Sequence, residues 1–165
     1  ASIGAAIAAP DKSIICITGD GSMQLNLQEL QTIVHHNLNC KIIVINNKGY
    51  ASIRNSQASF LDGHIAASSQ ETGVSFPDWE KIAEAFSMPY RREDKFSKLQ
   101  ELLNKTFDTK GPLFIEIVVP ENVVMLPAVT SVRLADGTFK SNRLHEMTPQ
   151  LSKKYLEENG VRINT

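Results

Sequence analysis

Two short stretches hold the residue types best suited to chemistry. Gly19-Asp20-Gly21-Ser22 ends the apolar run 13–18, and Asn46-Asn47-Lys48-Gly49-Tyr50 ends the apolar run 41–46. Asn47 follows Asp20 by 27 positions, room for one helix and one strand, so both side chains can return to the same sheet edge. A carboxylate, an amide oxygen and a nearby carbonyl are hard oxygen donors. They suit Mg²⁺, which takes six oxygens at about 2.0–2.1 Å, several of them from phosphates and water. Gly19 and Gly21 lack a Cβ, which lets the backbone come close to a phosphate. The N–H groups of Gly21 and Ser22, with the Ser22 hydroxyl, can donate to phosphate oxygens ahead of a helix start. A glycine-rich turn with Asp20 as a mere turn residue is the competing reading of the first stretch alone. The second stretch, at the matching distance, favours a metal carrying a diphosphate.

Such a site needs two neighbouring strand tips. "SIICIT" (13–18) and "KIIVIN" (41–46) are continuous apolar runs, expected as strands covered on both faces. Between them, Leu27, Leu30, Ile33, Val34 and Leu38 recur at helical spacing, predicting a helix over 27–36. Asn26 and Glu29 have capping-box spacing at its start. A polar stretch over 47–76 contains a short helix near 51–59. Asp78 then caps a helix carrying Ile82, Ala85 and Phe86 on one side. A short strand lies within 88–92. An amphipathic helix over 95–108 presents Phe96, Leu99, Leu102, Leu103 and Phe107, and a final strand lies within 111–120. This alternation implies an α/β fold, a doubly wound parallel sheet with helices on both faces and right-handed crossovers. Residues 1–120 form that domain; 121–165 form a C-terminal arm with a turn at Asp136-Gly137 and a terminal helix capped by Thr148, with Pro149 at its first position.

Composition limits the remaining classes. The 165 residues are 42% hydrophobic and 21% charged, with a net charge of -1, so no overall field points to nucleic acid or anionic lipid. No apolar run approaches a membrane span. Cys16 and Cys40 fall in predicted strands and read as buried thiols of a reducing cytoplasm. "ASIGAAIAAP" opens without methionine and reads as the end of a helix already under way, so the chain is expected to be a piece of a longer protein.

The run "GDGSMQLNLQELQTIVHHNLNCKIIVINNKGY" resembles the thiamine-diphosphate signature, GDG followed some 25 to 30 residues later by NN. With "AAIAAPDK", "NNKGYASIRNSQ", "GVSFPDWEKIAEAFSMPY" and "GPLFIEIVVPEN", nearly the whole chain is similar to the C-terminal, diphosphate-binding domain of acetolactate-synthase-like enzymes. The resemblance implies that Asp20 and Asn47 are the metal-ligating side chains and that the Gly49 carbonyl completes the protein ligands. It places Gly21 and Ser22 in the diphosphate cradle, beside Gly19, and Tyr50 and Ala51 in the turn that begins the helix beneath the cofactor. It also implies thiamine diphosphate and Mg²⁺ as cofactors and a small 2-oxo acid, pyruvate above all, as substrate, decarboxylated or joined to a second carbonyl. The activating glutamate belongs to a separate pyrimidine-binding domain that nothing here matches, so no catalytic residue is assigned and the chain alone should be inert. In the full protein, that domain would come from a neighbouring subunit of a homo-oligomer, and a missing middle domain is a candidate seat for FAD.

Acetolactate synthases proper carry a longer insertion and a tryptophan-containing stretch after the paired asparagines. Here the only tryptophan is Trp79. The tail "VTSVRLADGTFKSNRLHEMTP" resembles related proteins of surface-sugar gene clusters, so acyl transfer to a sugar or keto acid is the alternative, as is a non-catalytic cofactor-binding subunit. A phosphatase of the haloacid-dehalogenase type needs an Asp-x-Asp pair, which does not occur. His35 and His36 suit a helix C-terminus. His64 and the polar residues Arg54, Asn55 and Gln57 are assigned surface roles, with contact to substrate by His64 or one of the three as the alternative; the charges of 91–95 read as a solvated cluster, and His145 in the tail has no identified partner.

Overall fold

The computed structural model describes residues 1–123 and 126–160. Contacts divide the chain into two compact units, Ala1–Val123 and Val124–Thr165. In the first unit, four strands form one parallel sheet: β1 (Ile14–Gly19), β2 (Cys40–Asn46), β3 (Tyr90–Glu93) and β4 (Leu113–Val118). Their order is β1-β2-β4-β3. The ladder pairs Gly19 with Ile45 and Asn46 with Val118, so the carboxyl ends of β1, β2 and β4 finish side by side.

Helices cover both faces, as the strand–helix alternation predicts. On one side, α1 (Ser2–Ala8), α2 (Asp20–Gln24), α3 (Glu29–His35) and α5 (Trp79–Ala85) contribute to a core with Ile42, Val44 and Phe114. On the other, α6 (Phe96–Phe107) sets Leu99, Leu102 and Leu103 against Ile43, Leu113 and Ile115. The remaining helix, α4 (Ala51–Phe60), follows the second asparagine. Strand β2 is buried on both faces through Val44. Trp79 stacks on Phe114 at 5.9 Å between centroids, giving the larger core two wide apolar plates. No helix among the described residues is long and apolar enough to cross a membrane.

Several elements differ from expectation for local reasons. Strand β1 is covered on one face only. It is one of the two edge strands, α6 packs against β2, β4 and β3, and Ile17 is 68% exposed. The expected helix 27–36 begins at Glu29, and Asn26 is no side-chain cap; its carbonyl instead accepts the Glu29 N–H at 3.1 Å within a series of turns. The core face of α5 is Trp79, Ile82, Ala83 and Phe86, while Ala85 is exposed. Asp78 does cap that helix, accepting from the Glu80 and Lys81 N–H groups. In α6, Phe96 and Phe107 point outward, Phe96 being 92% exposed, and Thr106 takes the buried place.

In the second unit, β6 (Ser131–Arg133) and β7 (Phe139–Ser141) form an antiparallel hairpin around Asp136-Gly137. The Asp136 carboxylate accepts the Thr138 N–H at 2.9 Å, and Gly137 takes φ 84°. Strand β5 (Ala128–Val129) pairs with β8 (Met147–Thr148). This ladder corrects the expected helix start. Thr148 is a strand residue, and α7 (Lys153–Glu158) begins later, capped by Ser152, whose hydroxyl accepts the Tyr155 N–H at 3.1 Å. Residues 124, 125 and 161–165 of the expected arm lie outside the described residues.

Candidate metal and diphosphate site

Because β1 and β2 are hydrogen-bonded neighbours, Asp20 and Asn47 leave adjacent strand tips. Asp20 opens α2 and is only 1% exposed. The hydrogen bonds to its carboxylate come from main-chain N–H groups, with Gly21 at 2.7 Å on Oδ1 and Gly49 at 3.0 Å on Oδ2. Burial pushes its carboxyl above the ordinary carboxylate range, while the N–H groups of Gly49, Gly21, Asn47 and Lys48 pull it back. Loop 47–49 therefore wraps a buried anion that has no side-chain cation among its hydrogen-bond partners.

The two asparagines do different work. Asn46 is pinned: its Nδ2 donates to Glu116 Oε1 at 2.5 Å, and its Oδ1 accepts the Lys48 N–H at 3.0 Å. Glu116 is buried, accepts the Tyr90 hydroxyl and lies 3.9 Å from Arg92 Nε. Desolvation, and then the Glu116 carboxylate, push the Tyr90 phenol well above the ordinary tyrosine range. Asn47 is the opposite case. Its Oδ1 is buried and, among the described residues, has no hydrogen-bond partner. A buried amide oxygen left unanswered costs stability unless something outside the chain meets it.

The glycines differ in what their neighbours demand of them. Gly49 has φ 153°, and a Cβ there would collide with the Arg54 guanidinium and the Ser68 carbonyl. A Cβ on Gly21 would collide with the Tyr50 ring, so its missing side chain admits that aromatic. The Gly21 N–H is likewise engaged with Asp20. A Cβ on Gly19 would meet nothing within 4 Å, and Ser22 is exposed beside a cavity of about 270 Å³. Tyr50 is the residue before α4, where its N–H donates to the Ser68 carbonyl at 2.9 Å and its ring meets Phe76 edge-on. Ala51 is the first residue of α4.

The polar residues of α4, assigned to the surface from sequence, turn inward. Arg54 donates to the carbonyls of Ser68 at 2.6 Å, Glu121 at 2.5 Å and Asn47 at 3.4 Å. Gln57 bonds the Ala66 carbonyl at 2.8 Å and the Ser68 hydroxyl at 3.1 Å, and Asn55 reaches the Val123 carbonyl at 3.4 Å. The only advance signal was the weak apolar stripe of 51–59, which leaves the helix little to bury except polar groups. His64 stays exposed, and His35 and His36 end α3, as expected. Among the described residues, no three His, Cys, Asp or Glu side chains gather into a metal site. A cation at Asp20 would therefore be completed by amide and main-chain oxygens, a hard-donor set.

Residues 1–117 match the family model described as "Thiamine pyrophosphate enzyme, C-terminal TPP binding domain". The chain belongs to this family. This C-terminal thiamine-pyrophosphate-binding domain is 37% identical over 129 residues to an acetolactate synthase large subunit of Pyropia yezoensis, and to that of Cyanidium caldarium to the same extent. Each alignment covers 78% of this chain and 22% of the relative. Acetolactate synthase 2, chloroplastic, of Nicotiana tabacum is 34% identical over 145 residues, 85% of this chain and 21% of the relative. The domain thus spans about a fifth of the length of these relatives.

Proposed function

We propose that this domain holds thiamine diphosphate through a magnesium ion bound by Asp20, Asn47 and the Gly49 carbonyl. It does so within an acetolactate-synthase-like 2-oxo acid decarboxylase/carboligase acting on pyruvate. The observation that carries the reading is the buried Asn47 Oδ1, without a hydrogen-bond partner among the described residues, on the loop whose N–H groups meet the buried Asp20 carboxylate. The named relatives favour the acetolactate-synthase branch.

When bound, thiamine diphosphate supplies the carbanion chemistry, and the protein supplies binding and orientation. Asp20 and Asn47 hold the ion, Ser22 and the Gly19–Gly21 backbone face the diphosphate, and Tyr50 and Ala51 set the start of α4 beneath it. Residues 1–120 are the binding part and 121–165 an arm. The activating glutamate belongs to a pyrimidine-binding domain of a neighbouring subunit in a homo-oligomer, which leaves this domain inert alone; a middle domain is the proposed place for FAD. The two unpaired thiols favour a reducing compartment such as the cytoplasm.

Titration calorimetry with thiamine diphosphate tests the site: binding is expected with Mg²⁺, absent without it, and lost in Asp20→Ala. Metal-independent binding overturns the assignment. Product analysis of the whole enzyme given pyruvate and a panel of acceptor carbonyls tests the reaction.

A further inference from the structure

We propose that Arg54 is a positioning residue that sets the site's preference for Mg²⁺ over larger cations; this rests on the magnesium site proposed above. The two ions differ in what they demand. Mg²⁺ requires a near-octahedral shell at about 2.0–2.1 Å, whereas Ca²⁺ accepts looser shells at about 2.3–2.6 Å. Discrimination therefore depends on how firmly the protein oxygens are held. Two of the three protein donors here, Asn47 and Gly49, lie on one loop that contains left-handed backbone at Lys48, φ 53°.

What braces that loop from behind is the Arg54 guanidinium. It is 9% exposed, and its three hydrogen-bond acceptors are main-chain carbonyls from separate segments: Asn47 on the loop, Ser68 on the following connection and Glu121 after β4. Gly49 packs so closely on it that a Cβ has no room. The Ser68 carbonyl also accepts the Tyr50 N–H, so the guanidinium and the residue after Gly49 share one anchor. A planar group with five donors can join three carbonyls at once, while a lysine ammonium presents a compact point charge on a flexible stem. Arg54 acts through the path of residues 47–49. Its loss would take the guanidinium from the Asn47 and Glu121 carbonyls, leave the Ser68 carbonyl with the Tyr50 N–H alone and open a gap behind Gly49, freeing the loop to open around a wider ion.

The test is titration calorimetry of thiamine diphosphate with Mg²⁺ or Ca²⁺, on the intact protein and on Arg54→Met and Arg54→Lys, with folding checked by circular dichroism. Residues that orient metal ligands typically change metal affinity by about 10–100-fold. Arg54→Met is expected to weaken Mg²⁺-dependent binding by that factor and Ca²⁺-dependent binding by no more than about threefold, with Arg54→Lys between. A merely structural role would weaken both ions alike, and that result overturns the proposal. An unchanged Mg²⁺/Ca²⁺ ratio in both variants also overturns it, as does failure of both variants to fold. Absence of Mg²⁺-dependent binding in the unsubstituted protein is a different result, because it removes the metal site itself.

Discussion

The Gly49 N–H donates to Asp20 Oδ2 at 3.0 Å, joining residues 29 positions apart. This bond ties the tip of β2 to the tip of β1 before any ligand arrives. It holds the carboxylate while leaving the neighbouring Asn47 Oδ1 unanswered. The separation of roles suggests where substitutions damage the fold and where they damage only binding.

Asn47→Ala removes an oxygen that nothing among the described residues satisfies. Its metal-free stability is expected within about 1 kcal/mol of the unsubstituted chain by denaturant unfolding. Mg²⁺-dependent cofactor binding should disappear in calorimetry.

Gly49→Ala places a Cβ against Arg54 and Ser68 on backbone at φ 153°. Strain and overpacking add, and a loss of about 2–4 kcal/mol is expected in denaturant unfolding. Gly19→Ala, with φ -82° and open space around the new methyl, is the control and should stay within about 0.5 kcal/mol.

Gly21→Ala drives a methyl into the Tyr50 ring and should cost about 1–3 kcal/mol. Tyr50→Ala clears that space. In a double-mutant cycle the pair should be less destabilised than the sum of the single changes, by roughly 0.5–3 kcal/mol. Strict additivity would mean that the ring does not occupy the Gly21 face.

Lys41 gives a pH test. It is 0% exposed, its ammonium donates to Asn39 Oδ1 at 2.7 Å and to the Gly111 carbonyl, and desolvation lowers its pKa from 10.5. Between that lowered value and 10.5 the unfolded chain binds more protons than the fold, so this residue's contribution to stability rises with pH across the window. Below the window the buried ammonium is a cost. The stability of Lys41→Met relative to the unsubstituted chain should therefore be greatest near neutral pH and decline as pH approaches 10.5, measured by unfolding at a series of pH values.

Asp78→Ala removes the two bonds from Asp78 Oδ1 to the Glu80 and Lys81 N–H groups. Loss of such a cap typically costs about 1 kcal/mol, which thermal unfolding should register as a drop of a few degrees.

Most of the sheet was legible because β1, β2 and β4 are written as short apolar runs, and the spacing from Asp20 to Asn47 matched one crossover. Asp78 was equally plain, since a cap is a local signal. Other features depend on what lies across space. Ile15 and Ile17 look as buried as Ile43 in sequence, yet β1 is an edge strand and β2 is central. Thr148-Pro149 has the composition of a helix start, but the ladder with Ala128 claims Thr148. Arg54 read as a surface residue because nothing local announces that carbonyls from three segments converge on it. Nothing local to Gly21 announced that the Tyr50 ring, 29 residues along, also forbids a side chain there.

The N–H groups that answer Asp20 belong to the chain's trajectory and not to any side chain's identity. Lys48 can thus be exchanged for any residue able to hold its left-handed turn without rewriting the nest around the acid. An evolving lineage is free to alter the chemistry of that loop's outer surface, and with it the molecules it greets, while passing on the same anchoring point intact.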